Sequence, residues 1–209
     1  MPGIATLVLE PRKQPVQRRS TETVTAILDA TIQVLTAIGK ERLTTTRVAE
    51  RAGVSVGTLY QYFPNKRSLL QATLRRHLVA VTEAVERECE LNRHEPIRTM
   101  VTAIVNAFFR AKVREPKVSL ALYSVSSDVD GVRVLEELRI RTTKALTSVL
   151  ATAPERLGID LELAAFMLQG AMTGISRRML EARMPVKEHE KLRDELVAML
   201  CAYVIARTK

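Results

Sequence analysis

The chain has no tryptophan, and aromatic residues make up only 4% of its 209 positions, against an apolar fraction of 46%. A sheet-rich core draws heavily on aromatic and β-branched side chains, so this balance argues against one and favours packed helices. Cysteine is equally scarce. Cys89 and Cys201 lie far apart and have no CxxC or Cys/His spacing around them, which excludes a disulfide framework and a zinc motif and leaves two small apolar side chains in a reducing compartment. His77, His94 and His189 are scattered, so no metal, no cofactor and no catalytic residue is expected. Long apolar runs are missing too. The early IATLVL lacks a basic lead-in and is too short for a signal core, and the later MLCAYVIA cannot span a bilayer, so a soluble, cytoplasmic protein with no membrane-embedded segment is expected.

What the chain does carry is positive charge, and unevenly. Lys and Arg number 32 against 23 Asp and Glu, a net +9. Residues 1–78 hold 12 basic and 5 acidic side chains, a net of +7, and leave the rest of the chain nearly neutral. A polyanion, either nucleic acid or an anionic membrane surface, is the natural partner of that half.

Residues 1–19 contain three of the eight prolines, end in QPVQRR and show no sustained period. They read as a flexible basic arm, in which Arg12, Lys13, Arg18 and Arg19 precede the first helix and could reach along a duplex. From Thr21, the spacing of Val24, Ile27, Leu28, Thr31, Leu35 and Ile38 predicts a helix, with Gly39 at its C-cap. Further helices are predicted at Thr44–Ala52, Val56–Phe63, Asn65 to about Asn92, Pro96–Arg114, Pro116–Ser126, Gly131–Ala153, Asp160–Arg183 and Lys187–Arg207. The fold class is therefore all-α with about nine helices. A basic N-terminal three-helix bundle precedes a larger helical body, with divisions at 1–19, 20–65 and 66–209.

The chemistry concentrates in LTTTRVAERAGVSVGTLYQYFPNK, residues 43–66. Thr44 or Thr45 can cap a helix whose inner stripe is Val48, Ala49 and Ala52, and Gly53 can end it with a positive φ. Ser55 can cap the next helix, with Val54, Leu59 and Phe63 inward, giving a helix-turn-helix. The outward set is then Val56, Gly57, Thr58, Tyr60, Gln61 and Tyr62, where an ordinary solvated face would carry Lys and Glu. Hydroxyls can donate to phosphate oxygens, a Gln amide can pair with a base edge, and a Val can touch a thymine methyl. Lys66, Thr45 and Thr46 sit at helix starts, where phosphate is favoured.

The stretch TTTRVAERAGVSVGTLYQYFPNKRSLL, with the first helix back to about Ser20, resembles the TetR-like family of one-component transcriptional regulators. The resemblance implies that Thr45 and Thr46 touch phosphates or bases from the start of the second helix, that Thr58, Tyr60 and Gln61 read the major groove, and that Tyr62 and Lys66 grip phosphates. Val56 stands where many relatives have a polar base reader.

For the helical body, the resemblance implies binding of a small molecule, together with dimerisation. Met100, Ile104, Phe108, Leu120, Tyr123, Phe166, Met167 and Met179 supply flexible and aromatic apolar surface suited to a largely apolar effector, or else form the core of a bundle. Gly170 and Gly174 lie one turn apart inside a helix, where each costs about 1 kcal/mol relative to Ala. A closely packed partner helix would offset that, as would close packing within one subunit or room for a ligand. With Leu192, Leu196, Met199, Leu200 and Tyr203 of the last helix they could form a four-helix seam of a homodimer, which would read an inverted-repeat operator. The expected function is a repressor released from DNA by a small-molecule effector. An activator or ligand-independent DNA binder is the alternative, and an all-α enzyme or carrier is the rival from another class.

Overall fold

The structure is a computed structural model that describes residues 18–126 and 131–207. Among them are nine α-helices and no strand: α1 (Arg18–Arg42), α2 (Thr45–Ala52), α3 (Val56–Tyr62), α4 (Lys66–Leu91), α5 (Ile97–Val113), α6 (Pro116–Ser126), α7 (Gly131–Leu150), α8 (Leu161–Glu181) and α9 (Val186–Ile205). This is the all-α class expected. Residues 1–17 of the basic arm, with Arg12 and Lys13, lie outside the described residues.

Two compact units form. The first spans the described residues up to His77 with those of 121–133, and the second 78–120 with those from Val134 onward. The core of the first is built from Ile27, Leu28 and Leu35 of α1, Val48 and Ala49 of α2, Leu59 and Phe63 of the α3 region, and Leu69, Leu70 and Leu74 of α4, all buried. Each helix in it ends for a local reason. Gly39, with φ 77° and ψ 167°, breaks α1 before its last residues. Thr44 caps α2 by accepting the Arg47 N–H. Gly53, at φ 67°, closes the same helix while the Val54 N–H donates to the Ala49 carbonyl at 3.0 Å, a pattern that satisfies carbonyls otherwise left open. Ser55 caps α3 through the Thr58 N–H. Phe63 then leaves the helix at φ −125°, ψ 103°, because the Pro64 ring disfavours helical geometry at the residue before it. The Asn65 side chain accepts the Ser68 N–H at 2.8 Å and starts α4.

In the second unit α5 packs on α8 and α9. Arg141 of α7 forks onto Glu86 of α4 at 3.1 and 2.7 Å, Thr143 of α7 donates to Gln169 of α8 at 3.0 Å, and the Glu155 carboxylate takes the Ile97 N–H at the start of α5.

Candidate nucleic-acid interface

Capping at both ends leaves α2 and α3 joined by a three-residue turn, Gly53 to Ser55, with Leu59 and Phe63 seated at 0% and 1% exposure. Burial of that side fixes what the other side presents. On α3, Gly57, Tyr60 and Gln61 are exposed and Val56, Thr58 and Tyr62 half-buried, and the helix carries no charged residue. Thr46 is exposed at the start of α2 and Thr45 half-buried beside it.

The hydroxyls on this face are not loose. Thr45 and Tyr60 share a hydrogen bond of 3.0 Å that ties the start of α2 to α3, and Ser20 of α1 and Tyr62 share another of 3.0 Å. The Lys66 ammonium donates to the Lys40 carbonyl at 2.8 Å, so it joins the start of α4 to the end of α1, where helix carbonyls are short of donors. An ammonium has three hydrogens, so two remain for an outside acceptor. The structure thus gathers Thr45, Thr46, Val56, Thr58, Tyr60, Gln61, Tyr62 and Lys66 onto neighbouring elements of one unit. It also reveals Ser20, with no signal of its own in the sequence, as the partner of Tyr62.

The residues considered for an effector do not assemble as a group. Met100, Ile104 and Phe108 recur at one-turn spacing along α5, and they and Met179 of α8 are buried in the second unit. Leu120 is half-buried there, while Tyr123 belongs to the first unit. Phe166 and Met167 instead point out of α8, 54% and 45% exposed. Two hollows of the second unit, of about 420 and 450 Å³, are lined by other residues, chiefly Thr102, Asn106 and Arg193 in one and Arg139, Lys144 and Thr147 in the other.

The dimerisation set is also redistributed. Gly170 and Gly174 are exposed, and a Cβ added to either would meet nothing within 4 Å inside the chain. Packing within one subunit therefore does not explain them. Met199 is 49% exposed and Leu192 and Tyr203 are half-buried, but Leu196 and Leu200 are 2% and 3% exposed and belong to their own subunit's core. Leu163, at 51% exposure, completes with Phe166, Met167, Gly170 and Gly174 a continuous outer stripe on α8.

Burial first, then Glu90, Glu86 and Glu88, pushes the Cys89 thiol up to about 12, and burial raises that of Cys201. Among the described residues no group of three or more His, Cys, Asp or Glu is placed to hold a metal ion, and no helix is long and apolar enough to cross a membrane.

Comparison with known proteins agrees with this geometry. Residues 27–73 match the family model described as bacterial regulatory proteins, tetR family, and residues 96–203 match the tetracyclin repressor-like C-terminal domain. The chain is 31% identical over 131 residues to the HTH-type transcriptional regulator BetI 1 of Chromohalobacter salexigens, spanning 61% of each chain. It is 29% identical over 157 residues to the HTH-type transcriptional repressor KstR of Rhodococcus jostii, spanning 73% of this chain and 72% of that one. Among solved structures, the regulator FadR of Bacillus subtilis in complex with stearoyl-CoA superposes with a TM-score of 0.70 at 18% identity, over 85% of this chain and 97% of the other. At that identity the likeness speaks for the fold alone.

Proposed function

We propose, for a chain that belongs to the tetR family of bacterial regulatory proteins and is a DNA-binding transcriptional regulator and not an enzyme, that it is a homodimeric repressor released from an inverted-repeat operator by a largely apolar effector. The observation that carries the DNA-reading part is the uncharged, hydroxyl-bearing outer face of α3, pinned to α1 and α2 by the Ser20–Tyr62 and Thr45–Tyr60 bonds. Tyr60, Tyr62, Thr45, Thr46 and Lys66 hold phosphates in this reading, and Val56, Thr58 and Gln61 meet base edges. Residues 20–65 are the DNA-binding domain and 66–209 the effector-binding and dimerisation domain.

The outer stripe of α8 together with Met199 of α9 supports the dimer, since two glycines open to solvent inside a helix cost stability unless another chain approaches them. The effector lies among the apolar side chains of the second unit, with Met100, Ile104, Phe108 and Met179 as the favoured contacts. Release follows from a population shift, in which the effector binds best to an arrangement that no longer fits the operator.

Selection of duplexes from a random pool, followed by footprinting, tests the reading: an inverted repeat with half-sites about one helical turn apart is expected. A single unpaired site of one half-site's length overturns the dimeric reading. For the effector, a thermal-shift series with stearoyl-CoA and shorter acyl thioesters is the first probe, because a ligand of the folded state raises Tm with concentration. The selected duplex should be released by any compound that does so.

A further inference from the structure

The first unit carries a second polar surface that the reading of DNA leaves unused. Arg42 of α1 and Arg47 and Arg51 of α2 rim a hollow of about 590 Å³ between the two helices. All three are exposed, and all three are tethered. Arg42 Nε donates to the Ile38 carbonyl at 3.1 Å, an Arg47 terminal N–H donates to the Arg42 carbonyl at 2.8 Å, and Arg51 Nε donates to the Gln33 side-chain oxygen. Every one of these acceptors is neutral, and none of the three guanidiniums forms an ion pair among the described residues. Another cation that reaches across helices in this unit, Arg76 of α4, is instead paired with a carboxylate, Asp29 of α1, at 2.6 Å.

A guanidinium has five N–H donors, so each of the three keeps most of its fork after tethering. Holding the side chain in place beforehand removes part of the entropy cost that makes exposed ion pairs weak. Val34 and Ile38, both half-buried, and the exposed Ala37 supply an apolar floor. We propose that this hollow is a docking surface for an acidic, amphipathic segment of a partner protein, whose carboxylates lie on Arg42, Arg47 and Arg51 and whose apolar side chains cover Val34, Ala37 and Ile38.

Three features favour a peptide over a second stretch of nucleic-acid backbone. At about 100° per residue, Arg47 and Arg51 lie about 160° and 120° around α2 from Thr45, the residue bonded to the reading helix. A phosphodiester chain has nothing apolar to set against the floor. The one acid lining the hollow, Glu50, forms no ion pair and would repel a uniform polyanion, whereas a peptide can offer it a backbone N–H.

The test uses the full-length protein held on its selected duplex and a fluorescently labelled peptide of about 15 residues, Glu-rich with leucines at helical spacing. Anisotropy should show saturable binding that weakens about tenfold in the Arg47→Ala, Arg51→Ala double variant. It should also weaken in Ala37→Asp, while Arg67→Ala, an exposed cation elsewhere, binds the peptide as wild type does. Duplex binding is read in the same samples, so loss of the DNA-reading proposal and loss of this one are separable. Equal peptide binding by wild type and the hollow variants overturns the proposal. So does equal binding of an all-Glu peptide without leucines, or displacement of the peptide by an unrelated duplex, since either marks a general polyanion surface.

Discussion

Phe166→Ala is expected to take the dimer apart without unfolding the subunit. The ring is 54% exposed in the single chain. A Phe side chain buries on the order of 150–250 Å² when covered, so roughly 100 Å² remains for a partner to cover. At about 25 cal/mol per Å², that is about 2.5 kcal/mol per chain, and about 5 kcal/mol for the two copies of a two-fold interface. Truncation to Ala removes most of it and should raise the dimer dissociation constant by about three orders of magnitude. Sedimentation equilibrium on wild type and variant measures the constant. Circular dichroism and urea unfolding of dilute protein should show an intact helical subunit, because the ring contributes little to its own core. An unchanged dissociation constant refutes the placement of the α8 stripe at the seam. Cooperative loss of inverted-repeat binding should accompany dissociation, because a lone subunit presents one reading helix.

Lys66→Ala should lower the slope of log affinity against log salt by about one unit, as loss of a single phosphate contact does, and should cost about 1 kcal/mol of stability through the lost bond to the Lys40 carbonyl. An unchanged slope refutes the phosphate role alone. Gly53→Ala places a side chain at φ 67°, where space is open but the backbone region is unfavourable, so a loss of about 1–2 kcal/mol in urea unfolding is expected. No loss would mean that the turn relaxes. For Cys89, whose thiol pKa is raised from 9.0 to about 12, the folded chain keeps its proton after the unfolded chain has released it. Stability present below pH 9 should then fall as pH rises toward 12, by up to about 1.4 kcal/mol per pH unit. Cys89→Ala should show a flatter alkaline decline, and parallel curves for the two proteins would count against that coupling.

Several helix boundaries were readable because they rest on local devices: Thr44, Ser55 and Asp160 as caps, Gly53 as a left-handed stop, and Pro64 acting on Phe63. The faces of α2 and α3 were readable too, since both helices are short and mix apolar with polar residues. In α8 the run Leu163 to Leu168 is apolar throughout. With no polar residue to mark the outside, period cannot say which side faces the core, and the exposure of Phe166 and Met167 is visible only in the structure. Leu196 shows the opposite failure, an apolar residue assigned to the seam that its own subunit buries. The partners of Tyr62 and Lys66 were invisible for another reason. Ser20 and Lys40 are 42 and 26 residues away, and only the packing of α1 against the bundle brings them near.

Those internal partners change how the reading face should respond to mutation. A hydroxyl has one hydrogen and two lone pairs, so in the Thr45–Tyr60 pair one hydrogen spans the 3.0 Å between them and one is left to donate outward. In the proposed contact, the bridging bond polarises the second hydroxyl and strengthens what it would give to a phosphate oxygen. The pair is thus one donor held by two helices, and its parts are not independent. Tyr60→Phe removes one hydroxyl and releases the Thr45 side chain to rotate, and Thr45→Val does the reverse. Each alone should weaken operator binding by about 1 kcal/mol, and the double variant should lose hardly more than either single one, a coupling that a double-mutant cycle reads directly. Strictly additive losses would mean that the two hydroxyls meet separate phosphates and that their mutual bond gives way when DNA arrives.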